Sequence, residues 1–261
     1  VTLLVDPPRW PAYGRLWSHL VSDTSLEELH AFAAGLGIPR RGFEGDHYDV
    51  PEERFADVVA AGAQVSDIRG VVDALRHSGL RMAKRKGDRG VARVRGVGFP
   101  DGTSADVDLF TSARPYAEPR VFAAMVFLTD VAGDHALVYS PRRAEWGAPG
   151  GWREGSESVR RNAVREVHEE TGLSLDEPSL LACGYERFAP LGPWRPGSGS
   201  DVLQVFRAEV TRRRPRLRPH PGDATTAHEW VSWEEFGERC AHLFWWPLAE
   251  AVFDPPTWGH A

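Results

Sequence analysis

The stretch Pro149–Leu173, "PGGWREGSESVRRNAVREVHEETGL", decides how this chain is read. It sets Gly150-Gly151 ahead of a lone glutamate, Glu157, and then runs into "REVHEETG". The spacing predicts a helix from Ser158 or Val159 onward. Offsets of three and four put Glu166, Glu169 and Glu170 on one side of it, with side-chain roots about 5–6 Å apart. Carboxylates that close repel by roughly a few tenths of a kcal/mol per pair when exposed, and more when they share a partly dry cleft. A positive partner is therefore expected, and an all-oxygen cluster of this kind suits Mg²⁺ or Mn²⁺. Arg165 can reach Glu169 one turn later, while Ala163 and Val167 take the core face. On helix pattern alone, a solvated acidic helix with an ordinary cap accounts for the same residues.

The flanking glycines narrow the choice. Gly150-Gly151 permit a close backbone approach whose carbonyl can join a metal shell. Gly172 can take the left-handed conformation that ends the helix, with Leu173 turning back to the core. Taken together, Gly151, Glu157, Arg165, Glu166, Val167, Glu169, Glu170, Gly172 and Leu173 match at nine fixed positions. This pattern resembles the complete Nudix box, and "WGAPGG" resembles the usual approach to it. The resemblance extends over roughly 119–258.

The resemblance implies an α/β/α sandwich with a mixed sheet. It also implies an enzyme that cleaves the diphosphate bond of a nucleoside diphosphate linked to another group, with Mg²⁺ or Mn²⁺ as cofactor. The metal ligands would be Glu166, Glu169, Glu170 and the Gly150 carbonyl. Glu157 and Arg165 would complete the catalytic set by bracing the loop–helix–loop. The general base in such enzymes is either the residue matching Glu166 or an acid from a late loop, for which Asp223 and Glu229 are the candidates here. Trp245-Trp246 stands where some relatives read the base. Trp152, Glu229, Trp245 and Trp246 are therefore the expected substrate-binding residues, while most other aromatics, among them Trp146, Tyr185, Phe188 and Trp194, are read as packing. His168 is read as solvated.

Composition bounds the rest. With 261 residues, two modest domains are expected. The formal net charge of -6 gives no global field for nucleic acid, and the short basic run Lys84–Arg89 reads as a solvated linker. Two cysteines make neither a disulfide framework nor a thiolate metal site. No apolar run approaches the ~20 residues of a membrane span, and "VTLLVDPPRW" lacks the pattern of a signal peptide. A cytoplasmic protein is expected, its partner a small-molecule nucleotide, with no membrane, nucleic acid unfavoured and a homodimer allowed.

Along the chain, 1–88 reads as a small α/β domain, 89–118 as a hairpin or bridging segment around "PDGT", and 119–258 as the Nudix-like domain. The fold class is α/β throughout. The front segment, over 2–87, resembles a small bacterial domain family without assigned activity. Asp6, His19, His47 and Asp49 there, with Asp23 and Asp46, can converge on a metal or a phosphate; turn caps and packing explain the same residues. For the substrate, a nucleoside triphosphate or a modified one is expected, converted to monophosphate and pyrophosphate. ADP-ribose or a nucleotide sugar is the first alternative. A sensor that binds a nucleotide with little turnover is the second, although binding alone would not need all three box glutamates.

Overall fold

The computed structural model describes residues 2–197, 199–218, 220 and 227–254, and the chain divides into two compact units at residues 92/93. The first contains β1 (Leu3–Val5), β2 (Trp10–Ala12), β3 (Arg15–Ser22), α1 (Leu26–Gly35), β4 (Tyr48–Pro51), α2 (Phe55–Ala60), β5 (Gln64–Val65) and α3 (Ile68–His77). Its sheet is organised around β3, which runs antiparallel to β1, β2 and β4, while β1 pairs in parallel with β5. Pro7-Pro8 stop β1 because proline has no N–H for the ladder.

Ser25 caps α1 by accepting from the Glu28 N–H at 3.2 Å. The Glu28 carboxylate accepts from the Ser22 hydroxyl at 2.7 Å, so only half of a Ser-x-x-Glu capping box forms. Asp67 caps α3 by accepting from the Gly70 N–H at 2.8 Å. Alternation along β3 sends Leu20 into a core with Leu29, Ala33, Tyr48 and Val50, and Val21 to the opposite face with Val71 and Leu75 of α3.

The second unit, Arg93–Asp254, is a mixed sheet with helices packed on it, an α/β/α sandwich. The elements are β6 (Arg89–Gly98), which begins in the last residues of the first unit, β7 (Ser104–Thr111), β8 (Val121–Asp130), β9 (His135–Ser140), β10 (Glu145–Gly147), β11 (Gly150–Trp152), α4 (Val159–Thr171), β12 (Leu181–Pro190), β13 (Val202–Val210), β14 (Ala227–Val231), α5 (Trp233–Cys240) and α6 (Trp246–Phe253). The strand order is β10-β9-β8-β13-β12-β7-β6, with β11 added to β8 and β14 to β9. The β8–β13 pair is parallel. β8, "VFAAMVFLTD", is buried along almost its whole length, as a strand covered on both faces must be. α4 packs on β8 and β11, and α6 on β7 and β12. The Phe99 N–H donates to the Thr103 carbonyl at 2.9 Å to close the turn after β6, with Gly102 at φ +82°. β7 then pairs with β12 from Ala105–Pro190 to Thr111–Gly184, so this hairpin strand is part of the second sheet.

Candidate active site

α4 starts at Ser158, whose hydroxyl accepts from the Arg161 N–H at 3.1 Å. It ends at Gly172, where φ is +72° and a Cβ would collide with the Arg218 carbonyl. Conformation and space both require glycine there. Val159, Ala163 and Val167 are buried, which turns Glu166, Glu169 and Glu170 toward β11 and the solvent edge.

Arg165 ties this edge together. Its Nη1 lies 2.8 Å from Glu169 Oε2 and 3.0 Å from Glu166 Oε1. Its Nη2 donates to Glu157 Oε1 and to the Trp152 carbonyl, each at 2.9 Å. The hydrogen bonds to Glu157, with the carboxylates around it, drive the guanidinium pKa further up. Burial works against the Glu157 carboxylate, yet Arg165 and the Glu154 N–H, 2.8 Å away, hold its pKa below the usual range. Glu170 is buried and its Oε2 accepts from the Gly150 N–H at 2.8 Å. A Cβ at Gly150 would strike the backbone of Ala124 and Met125, and one at Gly151 would strike the Glu166 carboxylate. Two glycines are thus what lets β11 lie between β8 and α4. The donors gathered here are all oxygen, which fits a hard divalent cation such as Mg²⁺ or Mn²⁺.

A cavity of about 200 Å³ opens against the other side of Gly150-Gly151. Its walls include Phe99, Phe122, Phe188 and Trp194, with ring centroids 5.3 Å apart for Phe122–Phe188 and 5.5 Å for Phe188–Trp194. Arg195 lies 4.6 Å from the centre of the Trp152 ring, and Arg142 and Asp101 also line the space. Glu186 of β12 faces it while only 1% exposed, and neither of its oxygens has a hydrogen-bond partner among the described residues. Burial pushes its carboxyl up to about 8.

Of the residues expected to bind substrate, Trp152 and Trp245 line this cavity. Trp246 does not: one step along the start of α6 turns it away, and it stacks on Trp233 at 5.0 Å. Glu229 does not either; it lies on β14 opposite Leu137 and accepts from Arg239 Nη2 at 2.6 Å. Asp223 is outside the described residues. His168 is exposed, and Tyr185 points to the far face of β12, stacked on Phe110 at 4.7 Å. Glu186, Phe99, Phe122 and Arg195 escaped the sequence reading. Period-two alternation in "GYERF" does put Glu186 and Phe188 on one face, which was the available signal.

In the first unit, Asp6, His19, His47 and Asp49 come together. His19 Nδ1 is 3.1 Å from Asp6 Oδ2, and His47 Nε2 is 3.4 Å from Asp49 Oδ1. Burial lowers the His47 pKa, but hydrogen bonds that its ring donates to the Asp46 and Asp49 carboxylates override it and raise it to about 9. Asp23 lies apart, accepting from the Thr2 N–H at 2.8 Å.

The second unit thus carries a helix-borne carboxylate cradle, braced by one arginine, beside an aromatic cavity on an α/β/α sandwich. The model of the NUDIX domain family matches residues 119–253, about half of the chain, and the chain belongs to that family. Members of the family work with a divalent metal, Mg²⁺ or Mn²⁺. Residues 3–78 match a family described as a protein of unknown function, DUF4031. An uncharacterized Nudix hydrolase of Bacillus subtilis (strain 168), YvcI, is 50% identical over 44 residues, 17% of this chain and 28% of that protein. The chain thus matches under a third of that relative's length. Among solved structures, the Bacillus subtilis pyrophosphohydrolase BsRppH is similar at 20% identity and a TM-score of 0.39, over 53% of this chain and 76% of that one. A Nudix hydrolase from M. smegmatis, RenU, is similar at 18% identity and a TM-score of 0.40, over 64% and 98%. Among the described residues no helix is long and apolar enough to cross a membrane.

Proposed function

We propose that the second unit hydrolyses a nucleoside triphosphate, or a modified one, to the monophosphate and pyrophosphate. One observation carries this reading: the carboxylate cradle and an aromatic cavity with a buried carboxyl share the wall Gly150-Gly151. Glu166, Glu169, Glu170 and the Gly150 carbonyl would hold Mg²⁺ or Mn²⁺, which when bound neutralises phosphate charge and makes water more acidic. Glu166, whose carboxylate lies against Gly151, would take the proton of the attacking water. Arg165 fixes Glu166 and Glu169 and leaves Glu170 to the Gly150 N–H. Phe99, Phe122 and Phe188 supply ring faces for a base. Glu186, kept protonated at neutral pH by its burial, offers one O–H donor and one acceptor to the polar edge of that base. The cavity is smaller than the ~300–1,000 Å³ of whole-ligand pockets, which suits a single flat ring system with the phosphates outside it. Arg142 and Arg195 bring positive charge to its lining.

The test is product identification by mass spectrometry. Canonical and oxidised (deoxy)nucleoside triphosphates, ADP-ribose, NADH and diadenosine polyphosphates are each offered with Mg²⁺ or Mn²⁺, beside the variant Glu170→Gln. Release of pyrophosphate from a triphosphate, abolished in the variant, is the expected result. Cleavage of ADP-ribose alone would refute the triphosphate assignment. Metal-dependent nucleotide binding with no turnover of any compound would make the domain a sensor.

A further inference from the structure

The first unit contains a second group of polar side chains that the hydrolase reading does not use. Antiparallel pairing of β3 with β4 sets His19 directly opposite Asp49. Tyr48 and Val50 point into the core, so the alternation puts Asp49, and His47 two residues before it, on the other face, with His19. One donor atom from each of His19, His47 and Asp49 lies within 4.8 Å of the other two. The 3.4 Å between His47 Nε2 and Asp49 Oδ1 is close to the edge of a tetrahedron of ligands about 2.1 Å from a central ion.

Each imidazole is held from behind by its own carboxylate. Asp6 Oδ2 engages His19 Nδ1 at 3.1 Å and Asp46 Oδ1 engages His47 Nδ1 at 2.6 Å, so in each ring Nε2 is the nitrogen its bracing carboxylate does not take, and that of His47 faces Asp49. Both bracing carboxylates are nearly inaccessible, with side chains 3% and 1% exposed, and both are fixed in turn. Asp6 accepts from the Trp10 indole at 3.0 Å and from the His19 N–H, and Asp46 from the Met82 N–H at 3.0 Å and from Arg81 at 3.2 Å. Carboxylates hydrogen-bonded to Nδ1 are how proteins fix the tautomer and direction of a metal-binding histidine. The three inward residues are themselves only partly covered, so an ion among them would keep open positions for water or an oxygen ligand.

We infer that the first unit is a metal site of its own, binding one divalent transition ion of the zinc type through His19 Nε2, His47 Nε2 and the Asp49 carboxylate. Two nitrogens and one carboxylate set it apart from the all-oxygen cradle of the second unit, and the two sites take different ions. Asp6 and Asp46 are positioning residues.

The test uses the full chain, stripped with chelator and titrated with Zn²⁺ against a competing indicator, with Co²⁺ absorption as a second readout. The Glu166→Gln/Glu170→Gln double variant serves as the control for the other cradle. One tightly bound Zn²⁺ per chain is expected in both the parent and that double variant. His19→Gln or Asp49→Asn should weaken it by at least about 100-fold, and Asp6→Asn by about 10–100-fold. His19 and Asp49 are the less buried ligands, and circular dichroism of the stripped variants confirms their fold. Absence of tight Zn²⁺ in the parent overturns the proposal. So does Zn²⁺ lost with the glutamates, or Zn²⁺ retained in a folded His19→Gln.

Discussion

The two polar clusters of this chain are built in opposite ways. In the second unit, Glu166, Glu169 and Glu170 sit on one helix, and a single cation, Arg165, is shared among them. In the first, His19, His47 and Asp49 arrive from two strands and the turn before one of them, and each histidine has its own carboxylate. One cluster is three carboxylates offset by a cation; the other joins two imidazoles to a carboxylate, each imidazole backed by an anion of its own. By donor chemistry, a hard ion with phosphate suits the glutamate cradle and a borderline ion suits the histidine cluster.

The largest effect expected is on the helix-borne cluster. Glu170→Gln should lower kcat by about 10²–10⁴-fold while leaving Zn²⁺ binding in the first unit unchanged, measured as turnover and as Zn²⁺ per chain. Loss of both together would mean that the clusters are not independent. Next comes Glu186. Its folded pKa, raised by burial to about 8, exceeds the unfolded value near 4.5, so the folded state binds the extra proton. Stability is then fullest below about pH 4.5 and falls as pH rises through about 8, because the unfolded chain releases that proton more readily. Glu186→Gln should remove this slope and stabilise the protein at pH 8–9 by up to a few kcal/mol, read from denaturant melts across pH. An unchanged slope would place the titration elsewhere.

Gly172→Ala tests how rigidly the helix end holds its carboxylates. With φ at +72° and the Arg218 carbonyl in the way, a loss of about 1–3 kcal/mol is expected from thermal unfolding of the full chain. Smallest is Ser25→Ala in the first unit. It removes one half-formed cap, and about 1 kcal/mol is expected from the same measurement.

How far each cluster could be read from sequence follows from its construction. The glutamates share a helix, so spacing alone lined them up, and the glycines announced the turns at both ends. The start of α4 at Ser158 and the "PDGT" turn were legible for the same reason: their partners lie within a few residues. His19 and Asp49 are thirty residues apart, and only the β3–β4 register makes them neighbours. Glu186 reads as a rim charge in "YERF". It becomes an interior group because β7 and β13 flank its strand and residues from distant segments, such as Phe99 and Phe244, close the same cavity. Adjacent Trp245 and Trp246 looked interchangeable until the start of α6 sent one to the cavity and the other to Trp233.

Arg165 has one further consequence. Through Nη2 it grips the carbonyl of Trp152, whose ring lines the cavity, and through Nη1 it grips the carboxylates of the cradle. One guanidinium thus joins the Trp152 backbone, which Asn162 Nδ2 also holds at 3.1 Å, to the cradle carboxylates. If the second unit works as proposed, loosening that guanidinium would show as a mixed defect, weaker capture and slower turnover in the same variant.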